Sequence, residues 1–405
     1  MRVPNPPGAL SRETLFSFIL DRPTQYLPFR TYIYPPLIAM APSLQPHVTS
    51  DSFFHTTSPP RPVSSNSPAT PVIVYFISGN PGLISYYYPF FTYLSAKLQS
   101  LSSKQKKDHQ FHIYGHSLAG FEVQSPLPTH YHNVEDQIRF IQRKLDSFVQ
   151  ATTQPSPTTN VRSRVILMGH SVGTYIAMEV IRRHRERSTS DHSNTGGFDI
   201  IGGVMLFPTV MDIASSPSGK KLTTLLSIIP PLALVVSVFA RILTTLLPDF
   251  ALRTLIKLFM ADPPSQAIDT TCAFLKSKRG VRQALHMAAD EMRIITTDKW
   301  SDDVWGIASS SSSSSRNRDG ERNDSLTTAA SLPARMFFYF GRNDHWVAEK
   351  TREEIIEAKS MARGKGGKTP TMVVCEDGLP HAFCLRHSEV TASKAAGMVM
   401  DIIAD

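Results

Sequence analysis

The sequence predicts a doubly wound α/β domain, a mostly parallel sheet with helices on both faces and a helical cap inserted after the sixth core strand. Two observations point there. From residue 71 on, short runs rich in β-branched and aromatic residues alternate with longer helical stretches, and the short runs are apolar along nearly their whole length, as strands covered on both faces must be. The alternation stops after Asp212, and residues 213–300 read as helices alone before strands resume.

Residues 1–70 are rich in Pro, Ser and Thr and show no sustained period, so they are expected as a loosely ordered extension with one local strand pairing. Their apolar run "LFSFIL" is too short and too closely flanked by prolines for a secretory signal, and Met40 is an alternative start. The main domain is expected over 71–405. It opens with "PVIVYFISGNPG", a buried strand running into a tight loop, followed by helix "YYPFFTYLSAKLQ". Strand "FHIYGH", helix "NVEDQIRFIQRKLDSFV", strand "RVILMGH", helix "VGTYIAMEVIRRH" and strand "DIIGGVMLFP" come next. After the cap, a serine-rich stretch over 307–333 reads as a polar loop of low complexity. Strand "ARMFFYFG", helix "KTREEIIEAKSMA", strand "TPTMVVCED" and a helix over 387–403 complete the chain.

With 405 residues there is ample core for one large domain with insertions. The 42 Lys and Arg against 34 Asp and Glu give a net charge of +8, but the basic residues are scattered and no nucleic-acid-binding signature is present. No nucleic-acid partner is expected; an anionic lipid surface accounts for the charge at least as well. Cys272, Cys375 and Cys384 are odd in number and lack paired metal-ligand spacing, so neither a disulfide framework nor a zinc site is expected.

Gly-His-Ser occurs twice at the end of an apolar run, at Ser117 and at Ser171. Around Ser171 the pattern is Gly169-His170-Ser171-Val172-Gly173, the G-x-S-x-G of a nucleophile elbow between a strand and a helix. The serine of such an elbow sits in strained backbone, and the flanking glycines keep side chains off the neighbouring strand and helix. Around Ser117 the second glycine falls one place late, at Gly120, and Pro126 and Pro128 occupy the stretch where a helix should run. Ser171 is therefore the expected nucleophile.

An elbow serine needs an acid and a histidine later in the chain, each just after a strand. Asp344 in "FYFGRNDHWV" and His381 in "LPHAFCLRH" hold those places. His381 would take the proton of the Ser171 hydroxyl and return it to the leaving group, while Asp344 fixes the imidazole tautomer. Asp212 and Asp377 compete for the acid position, and His345 is read as a neighbour of the site. The oxyanion hole needs two backbone N–H groups, expected from Val172 and from Asn80 in Ser78-Gly79-Asn80-Pro81-Gly82, where Pro81 has no N–H and Gly79 lets substrate approach.

The chain resembles the lipid droplet-associated hydrolases, a branch of the α/β-hydrolase superfamily. The resemblance rests on "SGNPG" with "YYYPF", on "GHSVGTYIAMEV", "LFPTVMDIASSPSGKKL" and "EMRIITTDKW", and on "FYFGRNDHWV" with "LPHAFCLRHSEV". It covers nearly everything from residue 71 to the C-terminus. It implies Ser171, Asp344 and His381 as triad, a location on lipid droplets and the endoplasmic reticulum, and hydrolysis of neutral lipid esters, sterol esters or acylglycerols. The chain departs from that family in its long N-terminal extension, its serine-rich insertion before residue 333, and Ser78 in place of the commoner proline.

The cap carries "LTTLLSIIPPLALVVSVFARILTTLLP", uncharged from Leu222 through Ala240 but interrupted by Pro230-Pro231 and flanked by Lys220, Lys221, Arg241, Arg253 and Lys257. A straight spanning helix is disfavoured, since two prolines remove donors where no water compensates. Two short apolar helices meeting at the prolines are expected, as a lid over the site alone or as a lid that also enters one phospholipid leaflet. Trp300 and Trp305 are candidates for an interface or for the core. The expected function is a serine esterase or lipase acting on hydrophobic esters through an acyl-enzyme, without metal or cofactor, on the cytosolic face of lipid droplets or endoplasmic reticulum. A droplet-surface binding protein with little turnover, and an acyltransferase using the same triad, are the alternatives. An epoxide hydrolase is disfavoured because that chemistry wants a carboxylate where residue 171 is serine.

Overall fold

The computed structural model describes residues 45–57, 71–104, 109–123, 130–152, 162–190, 197–260, 262–308, 333–361 and 369–404. Its centre is an eight-stranded sheet in the order β1-β2-β4-β3-β5-β6-β7-β8. The strands are β1 (His47–Val48), β2 (Ser52–Thr56), β3 (Val72–Ile77), β4 (Phe111–His116), β5 (Ser163–His170), β6 (Phe198–Leu206), β7 (Arg335–Gly341) and β8 (Thr371–Cys375). From β3 to β8 all pairings are parallel; β2 runs antiparallel to β4 and to β1.

β3 shows why the strands read as unbroken apolar runs. Val72, Val74 and Phe76 join the core cluster under one helical layer, Ile73, Tyr75 and Ile77 the cluster under the other, and all six are buried. The first layer is α1 (Tyr88–Lys104) and α10 (Ser388–Ala404), which pack on each other and contribute Phe90, Phe91, Leu94, Ala395 and Val399. The second contains α2 (Val134–Thr152) and α3 (Val172–Ser190), with Ile138, Ile141, Ile176 and Val180, and takes Ile355 from α9 (Glu349–Ser360). Each of the Val, Leu, Ile and Phe side chains contributes about 1.5–3 kcal/mol on full burial. The start of α2 is fixed by a reciprocal cap: Asp136 N–H donates to Asn133 Oδ1 (2.8 Å) and Asn133 N–H to Asp136 Oδ2 (3.1 Å).

Of the extension expected over 1–70, the described residues are 45–57. Its residues 47–56 hold β1 and β2, and β2 pairs with β4 along five positions from Ser52 to Thr56. Met40 and residues 58–70 lie outside the described residues, as does most of the serine-rich stretch, 309–332.

Between β6 and β7 the helical cap comprises α4 (Pro217–Ile228), α5 (Leu232–Leu246), α6 (Asp249–Phe259), α7 (Ser265–Lys276) and α8 (Gly280–Ile294). Ser216 caps α4 by accepting from Gly219 N–H at 2.9 Å. The two apolar helices expected around Pro230-Pro231 are α4 and α5, bent by 94° at the break; no single helix among the described residues is long and apolar enough to cross a membrane. Trp300 and Trp305 belong to the core, their ring N–H groups donating to Glu179 and Asp298.

The order of the strands also locates the site. The chain leaves β3 for β4 on one side and returns to β5 on the other, so the loops following β3 and β5 diverge and open a crevice at the C-terminal ends of these two strands.

Candidate active site

β5 delivers Ser171 into that crevice at φ 54°, a left-handed conformation that a non-glycine residue adopts only when its surroundings impose it. Two close approaches impose it. A Cβ on Gly173 would lie 2.3 Å from the carbonyl oxygen of Ile77, and one on Gly169 would lie 2.6 Å from that of Gly173. Strand β3, strand β5 and helix α3 meet so tightly that side chains at 169 and 173 are excluded. Ser171 N–H donates to Leu206 O at 3.1 Å, tying the turn to β6.

The structure brings the three expected side chains together. Ser171 Oγ–H donates to His381 Nε2 at 2.9 Å, and His381 Nδ1–H donates to Asp344 Oδ2 at 2.8 Å. The other carboxylate oxygen of Asp344 accepts from Trp346 N–H at 2.8 Å, which fixes its plane. Asp344 and His381 are each 7% exposed, so their pairing is shielded from water. The competing acids are elsewhere: Asp212 sits in a left-handed turn whose N–H bonds Thr296 O, and Asp377 pairs with Lys394 at 3.5 Å. The ring of His345 is 6.2 Å from that of His381 and is a neighbour of the site.

Asn80, in the loop after β3, lines the cavity that holds Ser171, and Val172, the first residue of α3, follows the serine directly. Neither backbone N–H has an acceptor among the described residues, as an oxyanion hole requires. A Cβ on Gly79 would lie 2.9 Å from Ser171 Cβ, so glycine there permits the loop to lie against the elbow.

Three residues that hold this arrangement escaped the sequence reading. His170, buried under the elbow, bonds to His381 O through Nε2 (2.9 Å) and to Tyr87 OH through Nδ1 (2.7 Å). Burial, reinforced by His381, holds its pKa well below the usual imidazole value, so it is neutral. A carbonyl only accepts, so the proton is on Nε2, Nδ1 accepts from Tyr87, and the tyrosine hydroxyl is left to accept from Gly79 N–H at 3.2 Å. One chain of hydrogen bonds thus joins the loop after β3, the elbow and the segment carrying His381. Glu291 on α8 is the third: its Oε1 accepts from Asn80 Nδ2 at 2.9 Å, and burial pushes its carboxyl up to about 8 against the opposing effect of that bond. Its signal was present in the sequence, since Ala284, Met287, Ala288 and Glu291 share one face of a helix and the last is acidic.

Above Ser171 lies a mostly apolar cavity of about 460 Å³, walled by Leu222, Met260, Leu285 and Glu291 of the cap and by Trp346 and His381 of the sheet domain. An elbow serine, a buried imidazole–carboxylate pair and an eight-stranded sheet of this order define an α/β hydrolase. Over residues 70–384 the chain matches the family model for lipid-droplet associated hydrolases, and it belongs to that family. It is 25% identical over 334 residues to the lipid droplet-associated hydrolase of Gallus gallus, covering 81% of this chain and 83% of that one. To the protein of that name from Homo sapiens it is 21% identical over 357 residues (86% and 88%). Among solved structures it is similar to an epoxide hydrolase from Vigna radiata, at 12% identity and a TM-score of 0.46, covering 89% of this chain and 98% of that one.

Proposed function

We propose that the protein is a serine hydrolase of hydrophobic carboxylic esters, sterol esters or acylglycerols, working at the surface of lipid droplets or of the endoplasmic reticulum. The observation that carries this is the bonding of His381 to Ser171 Oγ at 2.9 Å and to Asp344 at 2.8 Å beneath an apolar cavity. His381 takes the hydroxyl proton as Ser171 Oγ attacks the ester carbonyl, and Asp344 stabilises the resulting imidazolium. The carbonyl oxygen gains negative charge between the N–H groups of Val172 and Asn80. Collapse expels the alcohol with the proton from His381, leaving an acyl-Ser171 ester that water hydrolyses by the same steps reversed.

Attachment to a lipid surface is supported by the outer side of the cap. Val235, Phe239, Ile242 and Leu246 recur at helical spacing on α5 and are 50–75% exposed, and Phe250, Leu258 and Phe259 of α6 are 74–92% exposed. Transfer of each from water into lipid contributes about 1.5–3 kcal/mol. Such a surface, and the droplet monolayer it suits, also favours the second reading, a droplet-organising protein with little turnover.

Fluorophosphonate labelling of wild type and Ser171→Ala, with turnover on cholesteryl ester and triacylglycerol emulsions, separates the two. Labelling and turnover lost together in Ser171→Ala are expected; an unlabelled wild type that still floats with artificial droplets sinks the esterase reading and leaves the surface protein.

A further inference from the structure

We propose that Glu291 determines specificity, its free carboxyl oxygen hydrogen-bonding a second oxygen of the substrate and so favouring polyol esters such as acylglycerols over esters of hydrocarbon alcohols such as sterols. This rests on the Ser171 reaction proposed above. Glu291 is 4% exposed and projects from α8 into the cavity that holds Ser171, among Ala284, Leu285 and Ala288. Its Oε1 is occupied by Asn80 Nδ2–H, whose other hydrogen goes to Ala284 O at 2.9 Å. Its Oε2 has no partner among the described residues and is not sealed off from the cavity.

The direction of the Asn80 bond decides where the proton is. An amide N–H donates, so Oε1 accepts, and the proton of the neutral acid sits on Oε2, aimed into the cavity as a donor. The groups facing this carboxyl are Asn80 from the loop after β3 and Asp290 on its own helix, with Tyr86, Tyr87, Ser171 and His381 lining the cavity; no Lys or Arg is among the lining residues. A buried donor without an acceptor is unfavourable, and an apolar wall offers none. Glu291 is one side chain away from the Asn80 N–H assigned to the oxyanion, so an acceptor oxygen close to the scissile ester meets it. An acylglycerol carries such oxygens in its neighbouring ester groups; a sterol ester has a single ester function and leaves the acid unpaired.

The test is the ratio of kcat/KM for triacylglycerol and cholesteryl ester of one acyl chain in the same mixed micelles, for wild type, Glu291→Gln and Glu291→Leu, at pH 7 and pH 9. Both substrates use the same triad, so its titration cancels in the ratio. Wild type is expected to prefer triacylglycerol by about 10- to 100-fold at pH 7. Glu291→Gln, whose amide oxygen still accepts from Asn80 and whose N–H still donates, keeps the ratio at both pH values. Glu291→Leu brings it close to unity, and wild type loses it at pH 9 as the carboxyl ionises. An equal loss on both substrates in Glu291→Leu, with the ratio unchanged, makes the residue a brace for Asn80 and overturns the inference. Should Glu291→Leu not fold, a wild-type ratio that is the same at both pH values does so as well. Fluorophosphonate labelling in every sample keeps the two ideas apart, since an unlabelled wild type defeats the esterase and a labelled one without the preference defeats only the role of Glu291.

Discussion

Ser117 and Ser171 come after the same Gly-His at the ends of β4 and β5, the two strands that flank β3 in the sheet, yet their surroundings have opposite designs. Ser171 begins a helix and points its hydroxyl at His381. Ser117 is fully buried, its N–H donates to Asp51 O at 2.9 Å, and its Oγ accepts from Ile84 N–H at 3.1 Å, which anchors the 3-10 turn before α1. The side chain of Gln137 clamps the N–H and the C=O of Ala119, Gly120 turns at φ 82°, and among the described residues the next helix starts at Val134. The histidines differ likewise: His116 bonds the carbonyl of its own neighbour at 2.6 Å, whereas His170 reaches a residue 211 positions away. The triplet is a way to end a strand. Its downstream neighbours, glycine and helix in one case and bulk and turn in the other, decide between a hydroxyl that meets an imidazole and one that braces a backbone turn.

The comparison breaks first at the reacting groups. Ser171→Ala and His381→Ala are expected to lower kcat on a soluble p-nitrophenyl ester by about 10⁴-fold or more while the melting temperature holds, and Asp344→Asn by about 10⁴-fold. Gly173→Ala sets a Cβ 2.3 Å from the Ile77 carbonyl and should lose at least 100-fold in turnover with a lower melting temperature, because an overpacked elbow costs about 1–3 kcal/mol. The mirror experiment sharpens the contrast: Ala119→Gly, made with Ser171→Ala, completes the pattern at Ser117 and should still give no fluorophosphonate labelling. A labelled Ser117 would show that the second glycine, and not the helix, makes the nucleophile.

Smaller effects are expected around the supporting bonds. Tyr87→Phe leaves Gly79 N–H and His170 Nδ1 without their partner, which should cost about 1–3 kcal/mol of stability and slow turnover with soluble esters. The depressed pKa of His170 has a pH signature. Above about 6.5 both folded and unfolded chains hold it neutral; below that value the unfolded chain takes a proton the folded one refuses, and stability falls as pH drops. Melting curves from pH 7.5 to 5 should be less acid-sensitive for His170→Gln than for wild type. Smallest is Ser117→Ala, expected to cost about 1 kcal/mol and leave turnover unchanged.

Much of this molecule was legible in its sequence because its strands are buried on both faces and its site residues each come just after a strand. The hydrophobic run of β3 and the 3.6-residue period of α2 are local signals, and the position of the cap is set by where they stop. What the sequence hid before residue 71 is the pairing of β2 with β4, for a local reason: "SFFHT" is short, partly polar and set in a Pro- and Ser-rich stretch, and its partner lies far along the chain. Tyr87 and His170 were illegible for the opposite reason. Their bonds join residues 83 and 211 positions apart, and no spacing in a chain records such a meeting.

That long reach has a consequence for how the protein is made. Ser171 and the loop after β3 are synthesised long before His381, which follows Ser171 by 210 positions. α10, which covers α1 and closes one face of the sheet, is later still. A nascent chain halted anywhere before residue 381 therefore has an elbow and no imidazole to bond its serine. The order of translation therefore sets when the pair can form: the hydroxyl of Ser171 meets its hydrogen-bond partner only after a further 210 residues have been added.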